Sequence, residues 1–416
     1  MSQSFATGNP LELAKQIGYE LYDNIGKIAF EELELAYASR LAPKFEKVPE
    51  LRSFTNLNFY WARGCFKNRS IEGFKDCLPE DFKQRNISTA TIETMFGSIN
   101  EKGNKLFAPL FHGYETCFMP ELLAFLGSYE TMKEKVNTFN EVLEGDPTSR
   151  DMIKFSSASE ELIGKYMLGY DGLTFDGRHL KYEPNTSFVV GTRPVENKIY
   201  TYLEQSGFWS RFHTIQIKIT DKVSEDIFTG SFTPNPDVDV QSLKNELKLC
   251  NKNLFAHRDD INSELPSYEK IMMPLLQTAN GFCKQVMLKN PIIDNVTLLN
   301  VRIKDDILRE VKAYQILNPE LSDAEIHAWA YARLPHFFEF ATEPIIAREI
   351  TFVKVNSLES CIKSLCELCK GSPKERDEIQ DILQKQSFSR PTIDRAMEKI
   401  KENGLEKTQK RGVYET

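Results

Sequence analysis

The stretch SRPTIDRAMEKIKENG near the end of the chain constrains the fold most, because it marks both ends of a helix. Ser389 can cap the amino end, Pro391 lies in the first turn, where its missing N–H costs nothing, and Gly404 follows as a stop signal. Between them, apolar residues recur at helical spacing: Ile393, Ala396, Met397 and Ile400. The pattern predicts a helix with one face packed on a core and the opposite face in solvent.

A larger C-terminal module surrounds this helix. The residues from Ser357 onward predict helix, helix, turn, helix and hairpin, with Lys410 and Arg411 at the hairpin tip. The segment SRPTIDRAMEKIKENGLEKTQKRGVYE resembles winged helix-turn-helix domains. This resemblance implies a helix in the DNA major groove and a wing that reaches phosphates. The implied DNA contacts are Arg390, Thr392, Arg395, Lys399, Lys410 and Arg411. A winged helix that packs only against protein is the alternative.

Composition limits how the chain can meet nucleic acid. With 416 residues, two or three domains are expected, and 41% hydrophobic against 27% charged residues is the usage of a globular protein. The formal charge of -8 excludes coating of nucleic acid by bulk electrostatics, so any DNA contact must be local. No apolar run is long enough to span a bilayer, and the first residues lack a signal-peptide pattern. We therefore expect a cytoplasmic protein with no membrane partner.

The eight cysteines are scattered without a framework of close pairs, which is typical of free thiols in a reducing compartment. Cys361, Cys366 and Cys369 are the exception, because they lie close together in SLESCIKSLCELCK. They fall with neighbouring apolar residues on one helical stripe, whereas a zinc site would need a fourth ligand at metal spacing. Core packing is the favoured interpretation, zinc binding is the alternative, and no metal site is predicted.

The segment LNFYWARGCFKNRSIEGF has the order of a phosphate-binding loop without its usual sequence. The pattern G-x-x-x-x-G-K-[ST], whose amides, lysine and hydroxyl hold nucleotide phosphates and Mg²⁺, occurs nowhere in the chain. Here a strand-like run from Leu57 to Trp61 is followed by Gly64, Lys67 and Ser70 and then by a helical pattern. The segment predicts either an atypical phosphate loop or a plain strand-loop-helix connection with basic residues in solvent.

Two acids follow in FAPLFHGYETCFMPEL, which predicts a strand ending at Glu115, with a second carboxylate at Glu121. In P-loop ATPases an acid at the end of such a strand holds Mg²⁺ through water, and a nearby Glu polarises the attacking water. The alternative is that both acids are ordinary solvated surface residues.

Two further motifs come later in the chain: SFVVGTRP, which predicts a buried strand over residues 187–194 that ends in a polar residue, and SGFWSRFHTIQIKIT. With them the chain resembles the AAA+ ATPases, most closely the minichromosome-maintenance helicase branch. The resemblance implies that Thr192 is the polar sensor at the end of a strand and that Arg211 is an arginine finger toward a neighbouring subunit's nucleotide. Arginine suits that role because its planar fork stays charged and spans phosphate oxygens. A second sensor would be Arg302 or Arg309, and the register does not decide between them.

The resemblance implies an α/β P-loop (AAA+-like) core with a helical lid, followed by a small α+β winged helix-turn-helix domain. The expected domains are an N-terminal helical segment at residues 1–54, the ATPase-like core at 55–235, the lid region at 236–355 and the winged helix at 356–416. The implied cofactors are ATP and Mg²⁺, and the implied partners are DNA and further copies of the chain in a homo-oligomer.

Two main functions follow from these expectations. The first is a divergent AAA+ ATPase that acts on DNA in replication or mobile-element maintenance. The second is a nucleotide-independent winged-helix DNA-binding regulator or adaptor on a decayed ATPase scaffold, because the missing Gly-Lys-Ser contiguity removes the amide nest around the β-phosphate. A third, weaker hypothesis is a winged helix that binds only protein.

Overall fold

The computed structural model describes residues 8–47, 51–61, 66–91, 94–95, 98–100, 105–107, 110–144, 148–151, 173–176, 179–182, 184–195, 197–216, 237–289, 301–350, 361–362, 364–365, 374–385, 390–402, 406–407 and 413–415. The chain divides into two compact units, Met1–Ala341 and Thr342–Thr416, called the first and second unit below. None of the described helices combines the length and the apolar character needed to cross a membrane.

The described strands are, in chain order, β1 Leu57–Tyr60, β2 Gln84–Asn86, β3 Ser98–Asn100, β4 Lys105–Phe107, β5 Thr116–Met119, β6 Thr148–Asp151, β7 Leu173–Asp176, β8 His179–Tyr182, β9 Ser187–Thr192, β10 His213–Gln216, β11 Lys374–Glu375, β12 Glu406–Lys407 and β13 Val413–Glu415. The described α-helices are α1 Pro10–Leu41, α2 Lys67–Lys75, α3 Leu122–Leu126, α4 Tyr129–Glu144, α5 Asn197–Gln205, α6 Val240–Ala256, α7 Met273–Lys289, α8 Val301–Leu317, α9 Asp323–Ile350, α10 Arg376–Lys385 and α11 Arg390–Glu402.

A five-stranded parallel sheet with spatial order β10-β1-β9-β5-β2 organises the first unit, which is mixed α/β. The central strands are buried along their whole length, as parallel strands covered on both faces should be. The predicted strands at 57–61 and 187–194 are therefore confirmed as β1 and β9. Because all five strands run the same way, their carboxyl ends share one edge of the sheet.

Side-chain alternation divides the sheet into two apolar faces. Leu57 and Phe59 of β1 pack on one face with α1, α2 and α6, whereas Tyr60 packs on the other with α3, α4 and α5. In β9 the alternation is the same, since Val189 faces the first set and Val190 the second. The helix after β1 and the helix after β9 thus leave the sheet toward opposite faces. The connections after β1 and β9 therefore diverge at the carboxyl edge of the sheet.

The N-terminal helical segment forms part of this core. Helix α1 begins at Pro10, with Asn9 as N-cap, and is broken at Tyr22 and Asp23, whose backbones are non-helical. The two limbs meet at Gly18 and Gly26, where a β-carbon on Gly18 would lie 2.1 Å from the Gly26 carbonyl oxygen. Helix α1 packs against α2, α6 and α8, so the turn at residues 22–23 lies beside the start of α2.

The second unit contains α10, α11 and a small antiparallel sheet in the order β11-β13-β12. The predicted helix is confirmed over Arg390–Glu402, and Ile393, Ala396 and Met397 are buried as its spacing indicated. Cys361 is buried in the same core, which agrees with the packing interpretation, while Cys366 and Cys369 lie outside the described residues. In the described part of the unit, α10 packs against α11 and beside β11, which makes a small α+β arrangement.

Candidate functional site

Lys67 and Thr192 meet at the carboxyl edge of the sheet. Lys67 is the first residue of α2, and its buried side chain extends to the end of β9, where Nζ donates a hydrogen bond to the Thr192 carbonyl oxygen at 2.9 Å. The Trp61 backbone N–H donates to the same oxygen at 3.2 Å. Trp61 and Lys67, the described residues on either side of the loop after β1, thus both bond to the end of β9.

The Thr192 side chain belongs to a buried polar row that crosses three strands. Its hydroxyl donates to Asn58 Oδ1 at 2.8 Å, and Asn58 Nδ2 donates to Thr214 Oγ1 at 3.2 Å. Asn58 and Thr192 are fully enclosed, so these bonds satisfy groups that would otherwise be costly to bury. The row fixes where β9 ends relative to β1.

Glu121 also reaches this edge. It follows β5 after Pro120, its side chain is exposed, and Asn68 Nδ2 donates to its Oε1 at 3.0 Å. Asn68 comes directly after Lys67, and its Oδ1 is enclosed without a hydrogen-bond partner among the described residues. We call Lys67, Asn68, Glu121 and Thr192 the edge cluster.

Gly191 allows the end of β9, the connection after β5 and the Lys67 side chain to approach one another. A β-carbon at this position would lie 2.3 Å from the Pro120 carbonyl oxygen and 3.0 Å from Lys67 Cε. The end of β9 can therefore accept the β5 connection and the lysine stem only because residue 191 has no side chain. The absent side chain is part of what positions Lys67 and Glu121.

Phe66 has an unusual conformation just before Lys67. Its backbone is left-handed, with φ 58° and ψ 2°, and its ring stacks on Tyr22 with centroids 4.9 Å apart and planes 14° apart. Burial raises the pKa of the Tyr22 hydroxyl, an effect opposed by the nearby Arg69 and Lys244 charges. Tyr22, at the break in α1, thus packs against the residue that precedes Lys67.

Gly64 and Ser70 are the two other residues predicted to belong to the phosphate loop. Gly64 lies outside the described residues. Ser70 is completely buried one turn into α2, where its N–H donates to the Phe66 carbonyl oxygen and its Oγ has no hydrogen-bond partner in the described part of the chain. The α2 residue that contacts Glu121 is Asn68, which the sequence interpretation missed, although its place directly after the lysine was a usable signal.

The predicted strand ending at Glu115 is wrong, because β5 begins at Thr116, immediately after it. Glu115 therefore lies at the amino edge, where it forms ion pairs with Arg40 Nη2 at 2.8 Å and with Arg258 Nη1 at 3.3 Å. The length of β5, about 13 Å at a rise of roughly 3.3 Å per residue, separates it from the edge cluster. Glu115 is consequently not a member of that cluster.

Arg211 lies at the amino edge as well. It ends the short 3₁₀ turn Trp209–Arg211 ahead of β10, and its Nη2 forms an ion pair with Glu144 Oε1 at 2.7 Å. Its guanidinium also donates to the Gly207 carbonyl oxygen. Within one chain, Arg211 and Lys67 therefore stand at opposite ends of the parallel strands.

Only some of the predicted DNA contacts can be described. Arg390 and Arg395 are exposed on α11, whereas Ile393 and Ala396 of the same helix are buried. Thr392 and Lys399 belong to the same helix, but their side chains are not among the described ones, and Lys410 and Arg411 lie outside the described residues. The described part of α11 thus presents two arginines to solvent.

Comparison with known proteins does not supply a family. No family model matches this chain, and no curated protein matches it. The chemistry of the site therefore rests on the edge cluster: an ammonium group, a carboxylate, an amide and a helix amino end at one edge of the sheet.

Proposed function

We propose that this protein is a divergent AAA+ ATPase of the helicase-like branch that binds ATP with Mg²⁺ at the edge cluster and acts on DNA through a winged helix in its second unit. The observation that carries the proposal is the convergence of Lys67, Glu121 and Thr192, predicted separately along the sequence, at one edge of the sheet.

The position of the cluster supports nucleotide binding. In open α/β sheets, ligands bind outside the carboxyl ends of the strands, where neighbouring connections leave toward opposite faces. The carboxyl ends of β1 and β9 are such a point, because α2 and α5 pack on different faces. The spatial order of the five parallel strands is fifth, first, fourth, third and second along the chain, which is also the order of an AAA+ core.

The groups at this point suit a triphosphate. A helix amino end and an ammonium group both favour phosphate oxygens, and α2 offers its amino end together with Lys67. The amide oxygen of Asn68, which lies beside Glu121, is an oxygen ligand of the kind Mg²⁺ takes. When bound, the metal ion would neutralise charge on the phosphates. Glu121 would then orient the attacking water.

The position of Arg211 supports a role between subunits. The edge cluster of the same chain is at the far end of the strands. Any contact between Arg211 and nucleotide phosphates must therefore be with those bound to a neighbouring copy. Its ion pair with Glu144 would hold the guanidinium in place until such a neighbour is present. A homo-oligomer is therefore part of the proposal, as is the assignment to replication or mobile-element maintenance, which rests on the resemblance alone.

The test is ATP binding and DNA-stimulated hydrolysis by the purified chain, with Lys67→Ala as the site variant and Lys75→Ala as its control. Lys75 is at the other end of α2 and pairs with Glu72 at 2.6 Å, so its loss should leave nucleotide binding unchanged. We expect Lys67→Ala to weaken ATP binding at least tenfold, corresponding to about 1.4 kcal/mol or more. Equal binding by both variants would sink the proposal.

A second candidate is a nucleotide-independent DNA-binding protein on a decayed ATPase scaffold. The observation that favours it is that Phe66 stands directly before Lys67, where a phosphate loop needs a glycine, while the amine of Lys67 is already bonded to Thr192. This candidate predicts DNA binding by a chain that neither binds nor hydrolyses ATP in the same experiment.

A further inference from the structure

Three buried residues from distant parts of the first unit face one another away from the edge cluster. Glu32 of α1, His213 of β10 and Glu310 of α8 have exposed fractions of 4%, 5% and 6%. Each offers one ligand atom, and these atoms lie within 4.8 Å of one another. His213 Nε2 lies 3.6 Å from Glu32 Oε2 and 3.6 Å from Glu310 Oε2.

These separations are too long for the hydrogen bonds expected of buried charged groups. An imidazolium bonded to a carboxylate would have an N···O distance of about 2.7 to 2.9 Å. Here His213 Nε2 and Glu310 Oε2 have no hydrogen-bond partner among the described residues, although both are enclosed. A buried polar group that makes no hydrogen bond is destabilising, so two such atoms facing one space call for an occupant.

The geometry fits a metal ion at the centre of the three atoms. Two separations of 3.6 Å and a third of at most 4.8 Å put a point equidistant from them at about 2.0 to 2.4 Å from each. Zinc bonds to histidine nitrogen and carboxylate oxygen are about 2.0 to 2.2 Å long. The expected bond lengths therefore arise with little movement of the side chains.

Arg333 of α9 orients the two carboxylates by bonding to the oxygen of each that faces away from His213. Its Nε donates to Glu310 Oε1 and its Nη2 to Glu32 Oε1, while Nη1 lies 3.1 Å from Glu31 Oε1. Each carboxylate thus has one oxygen bonded to Arg333 and the other turned toward His213. Such outer partners, which fix the orientation of ligands, are usual around protein metal ions.

We propose that Glu32, His213 and Glu310 bind a divalent transition-metal ion, with Zn²⁺ the best fit, and that this ion fastens α1 and α8 to β10. One imidazole nitrogen with two carboxylate oxygens suits zinc or manganese better than magnesium, which prefers oxygen ligands and retains water. Three protein ligands leave one position of a tetrahedral ion to a further donor, and because all three ligands are buried the ion would bind as the first unit folds. The inference does not depend on nucleotide binding at the edge cluster.

The experiment is to unfold the purified full chain in urea and refold it with zinc, with magnesium or with a chelator. We expect about one bound zinc per chain by elemental analysis, and a Tm at least about 5 °C higher with zinc than with chelator. Magnesium should leave Tm at the chelator value. A wild-type chain that refolds without metal and whose Tm does not respond to zinc would overturn the proposal, leaving a protonated His213 between the two carboxylates.

Variants separate the site from general loss of stability. Glu310→Gln and His213→Gln should abolish zinc binding and the difference in Tm between zinc and chelator. Glu34→Gln is the matched control, because Glu34 is a buried carboxylate on the same helix whose Oε2 accepts from Asn251 Nδ2 at 3.2 Å. This control should retain one zinc and the zinc-dependent Tm. Loss of zinc from the control as well would count against the three named ligands.

Discussion

The Nζ of Lys67 donates a hydrogen bond to the backbone carbonyl oxygen of Thr192, 2.9 Å away, across the ends of two neighbouring parallel strands. The two residues are 125 positions apart in the chain. A lysine that binds phosphate from this position must either leave that carbonyl oxygen or use another of its three N–H donors. The bond therefore links the geometry of the sheet edge to any nucleotide chemistry at the edge cluster.

Gly191→Ala should disturb both the fold and the edge cluster. The new methyl group would meet the Pro120 carbonyl oxygen at 2.3 Å, so we expect a loss of about 1–3 kcal/mol in the free energy of unfolding and weaker ATP binding. Urea denaturation and nucleotide titration measure the two effects. Gly281→Ala in α7 is the control, because its β-carbon meets no atom within 4 Å and should be neutral or stabilising. Equal effects of both substitutions would contradict the close approach at Gly191.

Replacing Phe66 tests the left-handed backbone before Lys67. Phe66→Ala loses the stacking on Tyr22 but keeps a conformation that costs a non-glycine residue about 1–2 kcal/mol. Phe66→Gly loses the same stacking but relieves that cost, so it should be more stable than the alanine variant by about 1 kcal/mol. It also places a glycine before the lysine, and we expect it to bind ATP more tightly than wild type. Identical unfolding midpoints for the two variants would argue against the left-handed conformation.

Mixing variants tests the role of Arg211 between subunits. Lys67→Ala and Arg211→Ala should each lack ATPase activity, and an equimolar mixture should recover about a quarter of wild-type activity, because a random oligomer then contains some intact interfaces. Arg211 also pairs with Glu144, so circular dichroism must show that Arg211→Ala is folded. Failure of folded variants to complement would restrict Arg211 to its own chain.

The rate at which the Cys117 thiol in β5 is alkylated should distinguish the unfolded chain from the folded one. Burial raises its pKa to about 12, opposed only weakly by the Arg85 charge. The folded state therefore favours the protonated thiol, and this contribution to stability falls as pH rises above the unfolded pKa toward 12. Between about pH 7 and pH 9, alkylation followed by peptide mass spectrometry should label Cys117 quickly in urea and very slowly in the native chain. Equally fast labelling of both states would contradict the burial.

Salt dependence tests DNA binding by α11. Arg390→Ala and Arg395→Ala should each weaken DNA binding and lower the slope of log affinity against log salt by about one. Lys270→Ala removes an exposed positive charge from the first unit and should leave the slope unchanged. Fluorescence anisotropy across a salt series measures the slopes. Unchanged slopes in the arginine variants would favour the hypothesis that this unit binds only protein.

Local patterns explain the parts of the fold that could be predicted. Strand β9 is a continuous apolar run, buried throughout, and the sequence of α11 has apolar residues at helical spacing between a predicted N-cap and a predicted stop signal. Such signals depend only on neighbours in the chain. Strand β5 was misplaced because apolar residues stand on both sides of Glu115. What decides its start is pairing with β9, in which Thr116 lies opposite Ser187, and the Arg40–Glu115 ion pair.

The sequence by itself determined the buried strands β1 and β9, helix α11 in the second unit, and the choice of Lys67, Glu121 and Thr192 as residues to examine. Only the tertiary structure decided that those three share one edge, that Glu115 and Arg211 stand at the other, and that Asn68 contacts Glu121. The same holds for Glu32, His213 and Glu310, which no spacing rule connects. The physical reason is that parallel pairing and helix packing join residues far apart in the chain, whereas sequence patterns record only the burial and backbone preference of each short segment.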